Sequence, residues 1–164
     1  MKCIKCRIDE ANKNSGLCNA CEDLESRRIN GLLYLPAVGI IIAVIVGLIN
    51  VNAVLAVIPQ LYSSSGTNFA YGLLVIVMTF ASLAVATVAA WNFFQHKKRT
   101  KYVMVVYYLF GLLYVLVGVI LPAVIYGMPL DRVGIGSIFG ALVGVVGWLP
   151  YFLLSKRVPV VFSR

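Results

Sequence analysis

Residues 71–94 read YGLLVIVMTFASLAVATVAAWNFF, a run of apolar and small residues without a charged side chain. An α-helix rises about 1.5 Å per residue, so about 20 apolar residues cross the roughly 30 Å of hydrocarbon in a bilayer. The run is long enough to do this and is apolar on every face, which is typical of a helix without a water-facing side. It therefore predicts a membrane-spanning helix.

The same pattern occurs three more times along the chain. Uncharged apolar runs predict further spans at about residues 31–54, 102–125 and 134–154. The segments between the spans are PQLYSSSGTN (59–68), QHKKRTK (95–101) and YGMPLDR (126–132), whose polar, Gly and Pro residues are typical of loops. We therefore predict an all-α membrane protein, with residues 31–164 forming a four-transmembrane-helix bundle.

The composition supports this class of protein and excludes others. Of the 164 residues, 61% are apolar and 12% charged, against about 45–50% and about 25% in soluble domains. Such a chain cannot hide its apolar surface in one small water-soluble core, which excludes a soluble enzyme and a disordered chain. The net charge of +8 comes from short basic clusters beside apolar runs. Such clusters are typical of membrane flanks that face anionic headgroups, so we expect no nucleic-acid partner.

The distribution of basic residues predicts the orientation. The segment before Gly31, the 95–101 loop and the C-terminal end hold thirteen of the fourteen Lys and Arg residues, and Arg132 is the exception. Four spans place those three segments on one side, which the positive-inside rule assigns to the cytoplasm. The polar stretch before the first span predicts an uncleaved anchor in place of a signal peptide.

All four cysteines lie near the N-terminus, as the pairs Cys3-Ile-Lys-Cys6 and Cys18-Asn-Ala-Cys21. Two such pairs brought together form the tetrahedron of thiolates that is typical of structural zinc. The spacing predicts a zinc-ribbon-like head over residues 1–24, followed by a charged linker over residues 25–30. The short polar head has no core, so we expect the metal to supply its folding energy. Disulfides, an iron site and a redox switch that releases zinc are the alternatives.

The membrane part offers no catalytic machinery. No Asp, Glu, Lys, Arg or His falls inside a predicted span, and His96, the single histidine, lies in the basic loop. This argues against a proton-coupled transporter and predicts a protein that is not an enzyme. Three functions stay open. The head docks a protein partner or caps the bundle, the helices bind or carry a lipid-like molecule, or the thiolates sense redox state.

The last predicted span carries glycine at every fourth position, at Gly136, Gly140 and Gly144. Glycines spaced in this way line one helix face, and without side chains a neighbouring backbone can approach closely. We predict that this face packs against another helix of the same bundle. A second copy of the chain or a membrane partner is the alternative occupant.

The C-terminal segment WLPYFLLSKRV (148–158), followed by Phe162, resembles the closing motif of a family of small bacterial inner-membrane proteins, the domain of unknown function 2569. The opening segment GLLYLPAVG (31–39) is similar to that family's first span. The resemblance covers about residues 31–164 and implies four spans in the bacterial inner (cytoplasmic) membrane, without implying a reaction. The cysteine head adds to this domain, and Pro159 stands where the family commonly carries lysine.

The same segment has the composition of a helix leaving the membrane. Pro150 removes one backbone hydrogen bond near the end of the span and favours a kink. We predict that Trp148 and Tyr151 anchor the helix at the membrane interface, and that Lys156 and Arg157 meet the lipid headgroups.

Overall fold

The computed structural model of the chain describes residues 2–10, 12, 15–26, 31–61, 66–155 and 158–162. Most of the described residues lie in helices and none lies in a strand, which confirms the predicted all-α class. In chain order the helices are α1 (Asn19–Ser26), a short 3-10 turn (Gly31–Leu33), α2 (Tyr34–Leu61), α3 (Thr67–Phe94), α4 (Thr100–Val115), α5 (Leu121–Tyr126), α6 (Arg132–Leu142), α7 (Leu149–Leu154) and α8 (Val158–Val161).

Four helical segments among the described residues are long and apolar enough to cross a bilayer. They are Gly31–Pro59, Asn68–Phe94, Thr100–Tyr126 and Arg132–Leu154, and we call them the first to fourth spans. The first span continues past residue 54 as one helix. Asn52, a polar residue inside this helix, donates an Nδ2 hydrogen bond to the Leu48 carbonyl at 2.9 Å, so its side chain has a partner within the helix.

The third and fourth spans each contain one wider helical turn. A π-helical turn at Leu116–Ile120 joins α4 to α5, and another at Val143–Trp148 joins α6 to α7. Each turn is followed by a Leu-Pro pair, at Pro122 and at Pro150. A proline has no N–H to donate to the carbonyl four residues earlier, and its ring crowds that carbonyl. The wider turn accommodates the ring without ending the helix.

The buried core lies at one end of the bundle, where alternate ends of the four spans meet. Its members come from the start of the first and third spans, the end of the second and fourth, and the C-terminal α8: Leu33, Ala37, Ile40, Ala89, Phe93, Met104, Phe152, Val158, Val161 and Phe162. The spans therefore alternate in direction, and residues 31 and 162 lie at the same end. We call this the proximal end and the end formed by residues 127–131 the distal end.

At the distal end the fourth span begins with a well-formed cap. The Asp131 carboxylate accepts a 2.7 Å hydrogen bond from the Gly134 N–H, an arrangement that stabilises a helix by about 1 kcal/mol. Gly127 ends α5 with a φ of 63°, in the left-handed region that favours glycine. The single acidic residue after Glu25 thus has a structural partner in the distal loop.

Candidate metal centre

The two cysteine pairs occupy different local structures. Cys3 and Cys6 flank a tight turn in which the Arg7 N–H donates to the Cys3 carbonyl at 2.9 Å, with Arg7 at a φ of 56°. Cys18 precedes α1, and Cys21 lies in its first turn. The helix runs from the predicted head into the predicted linker, whose residues 27–30 lie outside the described residues. The turn therefore carries the Cys3 and Cys6 thiols, and the start of α1 carries those of Cys18 and Cys21. All four thiols face the same small space.

The four thiol sulfurs lie together. All four Sγ atoms are within 4.8 Å of one another, and the Cys6 and Cys18 sulfurs are 3.6 Å apart. A tetrahedral zinc site with Zn–S bonds of about 2.3 Å has sulfurs about 3.8 Å apart. The spacing is far from the roughly 2.05 Å of a disulfide, and all four cysteines are free thiols. The cluster therefore has the size of a four-thiolate metal site.

One backbone hydrogen bond joins the first pair to the segment before the second pair, and another closes the loop of the first pair. The Ile4 N–H donates to the Gly16 carbonyl at 3.2 Å, and the Cys3 N–H donates to the Asp9 carbonyl at 2.9 Å. Gly16 has a φ of 67°, in the left-handed region that favours glycine. Lys2 and Glu10 form one isolated antiparallel bridge among the described residues of the head.

Side-chain hydrogen bonds close the loop between the pairs onto α1. Asn12 Nδ2 donates to Glu22 Oε2 and to Asn19 Oδ1, both at 2.8 Å, and Ser15 Oγ donates to the same Glu22 oxygen at 3.1 Å. The Glu22 carboxylate therefore holds the polar segment that brings Cys18 and Cys21 to the first pair.

The acidities of the thiols differ between the pairs. Backbone hydrogen bonds from Cys6 and Cys18 lower the pKa of Cys3 to about 6, and those from Asp9 and Ile8 lower the pKa of Cys6. A side-chain hydrogen bond with Cys18, together with burial of the thiol, raises the pKa of Cys21 to about 12. Four thiolates in this space need a bound cation, and a divalent ion would satisfy all four.

Burial separates these thiols from reactive surface cysteines. Cys3, Cys18 and Cys21 are buried and Cys6 is half-buried, and Leu17 packs against the cluster. Apart from these contacts the head has little apolar core, and Ile4 and Ile8 are 77% and 81% exposed. The part of the head that the structure describes is organised around its sulfurs.

The predicted glycine stripe is divided between two environments. A Cβ on Gly144 would lie 2.8 Å from Tyr108 Cδ1, so the third and fourth spans approach closely there. A Cβ on Gly136 or Gly140 would meet no atom of the described residues within 4 Å. The structure thus brings Gly144 into helix packing within the chain and leaves the face at Gly136 and Gly140 open.

The predicted interface anchors lie at the proximal end of the fourth span. Trp148 and Tyr151 are half-buried, and their rings meet edge to face with centroids 5.8 Å apart. Tyr151 also packs edge to face on the buried Phe152. Lys156 and Arg157 lie outside the described residues.

Sequence reasoning missed the cavities between the spans. One of about 310 Å³ lies between the first and second spans, and we call it the apolar cavity; its lining is Ala53, Val54, Val57, Tyr71, Gly72, Val75 and Ile76. A second, of about 210 Å³, is lined by Asn50, Tyr114 and Ser137 together with apolar residues of the second and third spans, and we call it the polar cavity. The Tyr71 hydroxyl donates to the Val117 carbonyl at 3.0 Å between them. Helices that are apolar on every face show no alternation of polar and apolar residues, so their sequences do not indicate which faces line a cavity.

Comparison with known proteins places the membrane part in a family. The sequence model of the family described as "Protein of unknown function (DUF2569)" matches residues 26–163. No curated protein and no solved structure matches the chain. The matched range begins at Ser26, the last residue of α1, so the four cysteines lie before the part of the chain that the family model covers.

Proposed function

Since this chain belongs to the DUF2569 family, whose function is unknown, we propose a function from its own residues: a non-enzymatic membrane protein that holds a zinc-loaded cysteine head at the bilayer for binding a protein partner. The observation that carries the proposal is the clustering of four thiol sulfurs within 4.8 Å. Four sulfur ligands in a closed site favour zinc, whose preferred geometry is tetrahedral.

The compartment of the head supports zinc over disulfides. Positive-inside counting favours a cytoplasmic proximal end, because the basic loop at residues 95–101 and both chain ends belong to it. Reducing cytoplasm keeps thiols free for a metal. The family resemblance suggests the bacterial inner membrane as the location.

Exposed apolar side chains on the head support binding of a protein. Ile4 and Ile8 extend into solvent from a unit that is otherwise polar, and Leu24 on α1 is 61% exposed. An apolar surface on a small polar module is typical of an interaction site. The metal would shape this surface without taking part in a reaction.

Affinity capture with matched variants tests the proposal. We expect wild-type chain in mild detergent to retain a specific partner that Cys3→Ser with Cys18→Ser loses. Ile4→Ser with Ile8→Ser should keep zinc and also lose the partner. The same partner set bound by all three proteins would contradict docking by the head, because neither the metal nor the apolar surface would then matter.

A second function, binding of an amphiphilic lipid-like molecule, is favoured by the two cavities. The apolar cavity suits an acyl or terpenoid chain, and the polar cavity offers an amide and two hydroxyls to a neutral polar group. We expect Ala53→Trp with Gly72→Trp to displace a bound amphiphile that mass spectrometry detects on the wild type. Gly39→Trp, on the same first span but with open space around it, should leave that molecule bound. Equal amounts on both variants would exclude this site.

Redox sensing is the third candidate, and the half-buried Cys6 would be the first thiol to meet an oxidant. Mild peroxide should then release zinc with formation of disulfides, in which two thiols lose two electrons to the peroxide. Retention of the zinc under those conditions would contradict redox sensing and would indicate a purely structural metal centre.

A further inference from the structure

At the proximal end a pocket of about 260 Å³ lies between the start of the third span and α8. Its lining is Lys98, Lys101, Tyr102, Val158, Pro159 and Phe162. One wall is basic and the other apolar, and the pocket sits where the third span begins and the fourth has just ended. It shares no lining residue with the cysteine cluster, the apolar cavity or the polar cavity.

The lining of the pocket includes two lysines and no acidic side chain. After Glu25 the sequence holds one acidic residue, Asp131, and it lies in the distal loop. Lys101 Nζ donates to the Leu153 carbonyl at 3.0 Å, which fixes its amine beside the end of α7. An ammonium has three N–H donors, so this bond leaves others for a ligand. The pocket therefore presents a positioned cation and a second cation, that of Lys98, to one space.

The apolar wall is held in place by aromatic packing. Phe162 is buried, and its ring lies 5.0 Å from Phe93 and 6.1 Å from His96, measured between centroids. Val158 is also buried, whereas Pro159 is exposed and Tyr102 is 71% exposed. The inner part of the wall is thus rigid, and its outer part would contact whatever surrounds the bundle at this level.

A ligand of this pocket must satisfy both walls. Paired amines beside an apolar surface at the membrane boundary match an anionic phosphate with hydrocarbon attached, because basic pockets at helix ends bind acidic lipid headgroups. A free phosphate would use the lysines but gain nothing from Tyr102, Pro159 and Phe162. The exposed outer wall favours the lipid, because an acyl chain would cover the exposed Tyr102 and Pro159 side chains and a free phosphate would not.

We propose that this pocket binds one anionic phospholipid from the proximal leaflet, with its phosphate between the Lys98 and Lys101 amines and its glycerol and upper acyl chain along Tyr102, Pro159 and Phe162. The binding is non-covalent. It would hold α8 against the bundle, because α8 supplies the apolar wall.

Native mass spectrometry of the full chain in detergent, titrated with phosphatidylglycerol or phosphatidylcholine, tests the proposal. We expect the first phosphatidylglycerol to bind at least tenfold more tightly than phosphatidylcholine. Lys98→Gln with Lys101→Gln should weaken that first binding by about twenty-five-fold, since each lysine at a membrane surface contributes about fivefold. Lys98→Gln alone keeps the Lys101–Leu153 bond and should cost about fivefold.

The matched control removes the same charge from the same loop. Lys97 lies over the Trp91 ring, and neither Lys97 nor Arg99 lines the pocket. Lys97→Gln with Arg99→Gln should therefore change the first affinity by less than threefold. An equal loss in both double variants, or no preference for phosphatidylglycerol in the wild type, would overturn the proposal. Displacement of the lipid by soluble glycerol phosphate at equal concentration would also overturn it, because the apolar wall would then contribute nothing.

Discussion

Serine at Cys3 and Cys18 together should leave the purified chain without stoichiometric zinc. The double variant removes one buried ligand from each pair, so two thiols stay and cannot close a tetrahedron. Structural zinc sites of this kind contribute on the order of 10–16 kcal/mol to folding at neutral pH, and the head has no apolar core to replace that free energy. We therefore expect loss of the metal and unfolding of the described part of the head.

The measurement is metal content together with thiol titration on protein in mild detergent. Wild-type chain should carry zinc and react with a thiol reagent only after a chelator is added. Ile8→Ser is the matched control, because Ile8 is 81% exposed on the same head and its loss should leave the zinc in place. A wild type with four freely titrating thiols and no metal would refute the metal centre.

Leucine at Gly144 should destabilise the bundle more than leucine anywhere else on the glycine stripe. The added Cβ would lie 2.8 Å from Tyr108 Cδ1, and the Tyr108 ring is itself confined by Tyr107 and Phe152, with centroids 5.1 and 6.2 Å away. Overpacking of this kind costs about 1–3 kcal/mol. For a chain of this size we expect the thermal midpoint to fall by roughly 3–10 °C.

Gly140→Leu provides the control for this clash. It makes the same chemical change one turn away, where no described atom lies within 4 Å of the added Cβ, so its midpoint should stay near the wild type's. Adding Tyr108→Ala to Gly144→Leu should recover part of the loss, since it removes the ring that the leucine meets. Equal midpoints for Gly144→Leu and Gly140→Leu, in a scan that resolves 2 °C, would contradict the packing described for the third and fourth spans.

The spans could be predicted because charge is excluded from the bilayer core. Uncharged apolar runs of about 20 residues or more are typical of membrane-spanning helices. The four helices in the structure that are long and apolar enough to cross a membrane overlap the predicted runs. The cysteine cluster could be predicted for a similar reason. Two Cys-x-x-Cys pairs this close in sequence are typical of a single four-thiolate metal site. In the structure the four sulfurs lie within 4.8 Å of one another.

The rotation of each helix could not be predicted, and the remaining features depend on it. An apolar helix has no polar face to show which side meets a neighbour, so the sequence analysis assigned Gly136, Gly140 and Gly144 to the same packing face. Only Gly144, among these three, finds a partner within the described chain. The phospholipid pocket likewise depends on the packing of α8 beside Lys98 and Lys101, residues that lie far apart from α8 in sequence.

Membrane topology tests the central claim most directly, because the zinc centre and the leaflet of the lipid pocket both depend on it. Paired reporter fusions, one active only in the cytoplasm and one only outside it, can be placed before residue 1, within the 95–101 loop, after Pro129 and after residue 164. We predict a cytoplasmic signal from the first, second and fourth positions and an external signal from Pro129. Signals that put the two ends of the chain on opposite faces would contradict the account.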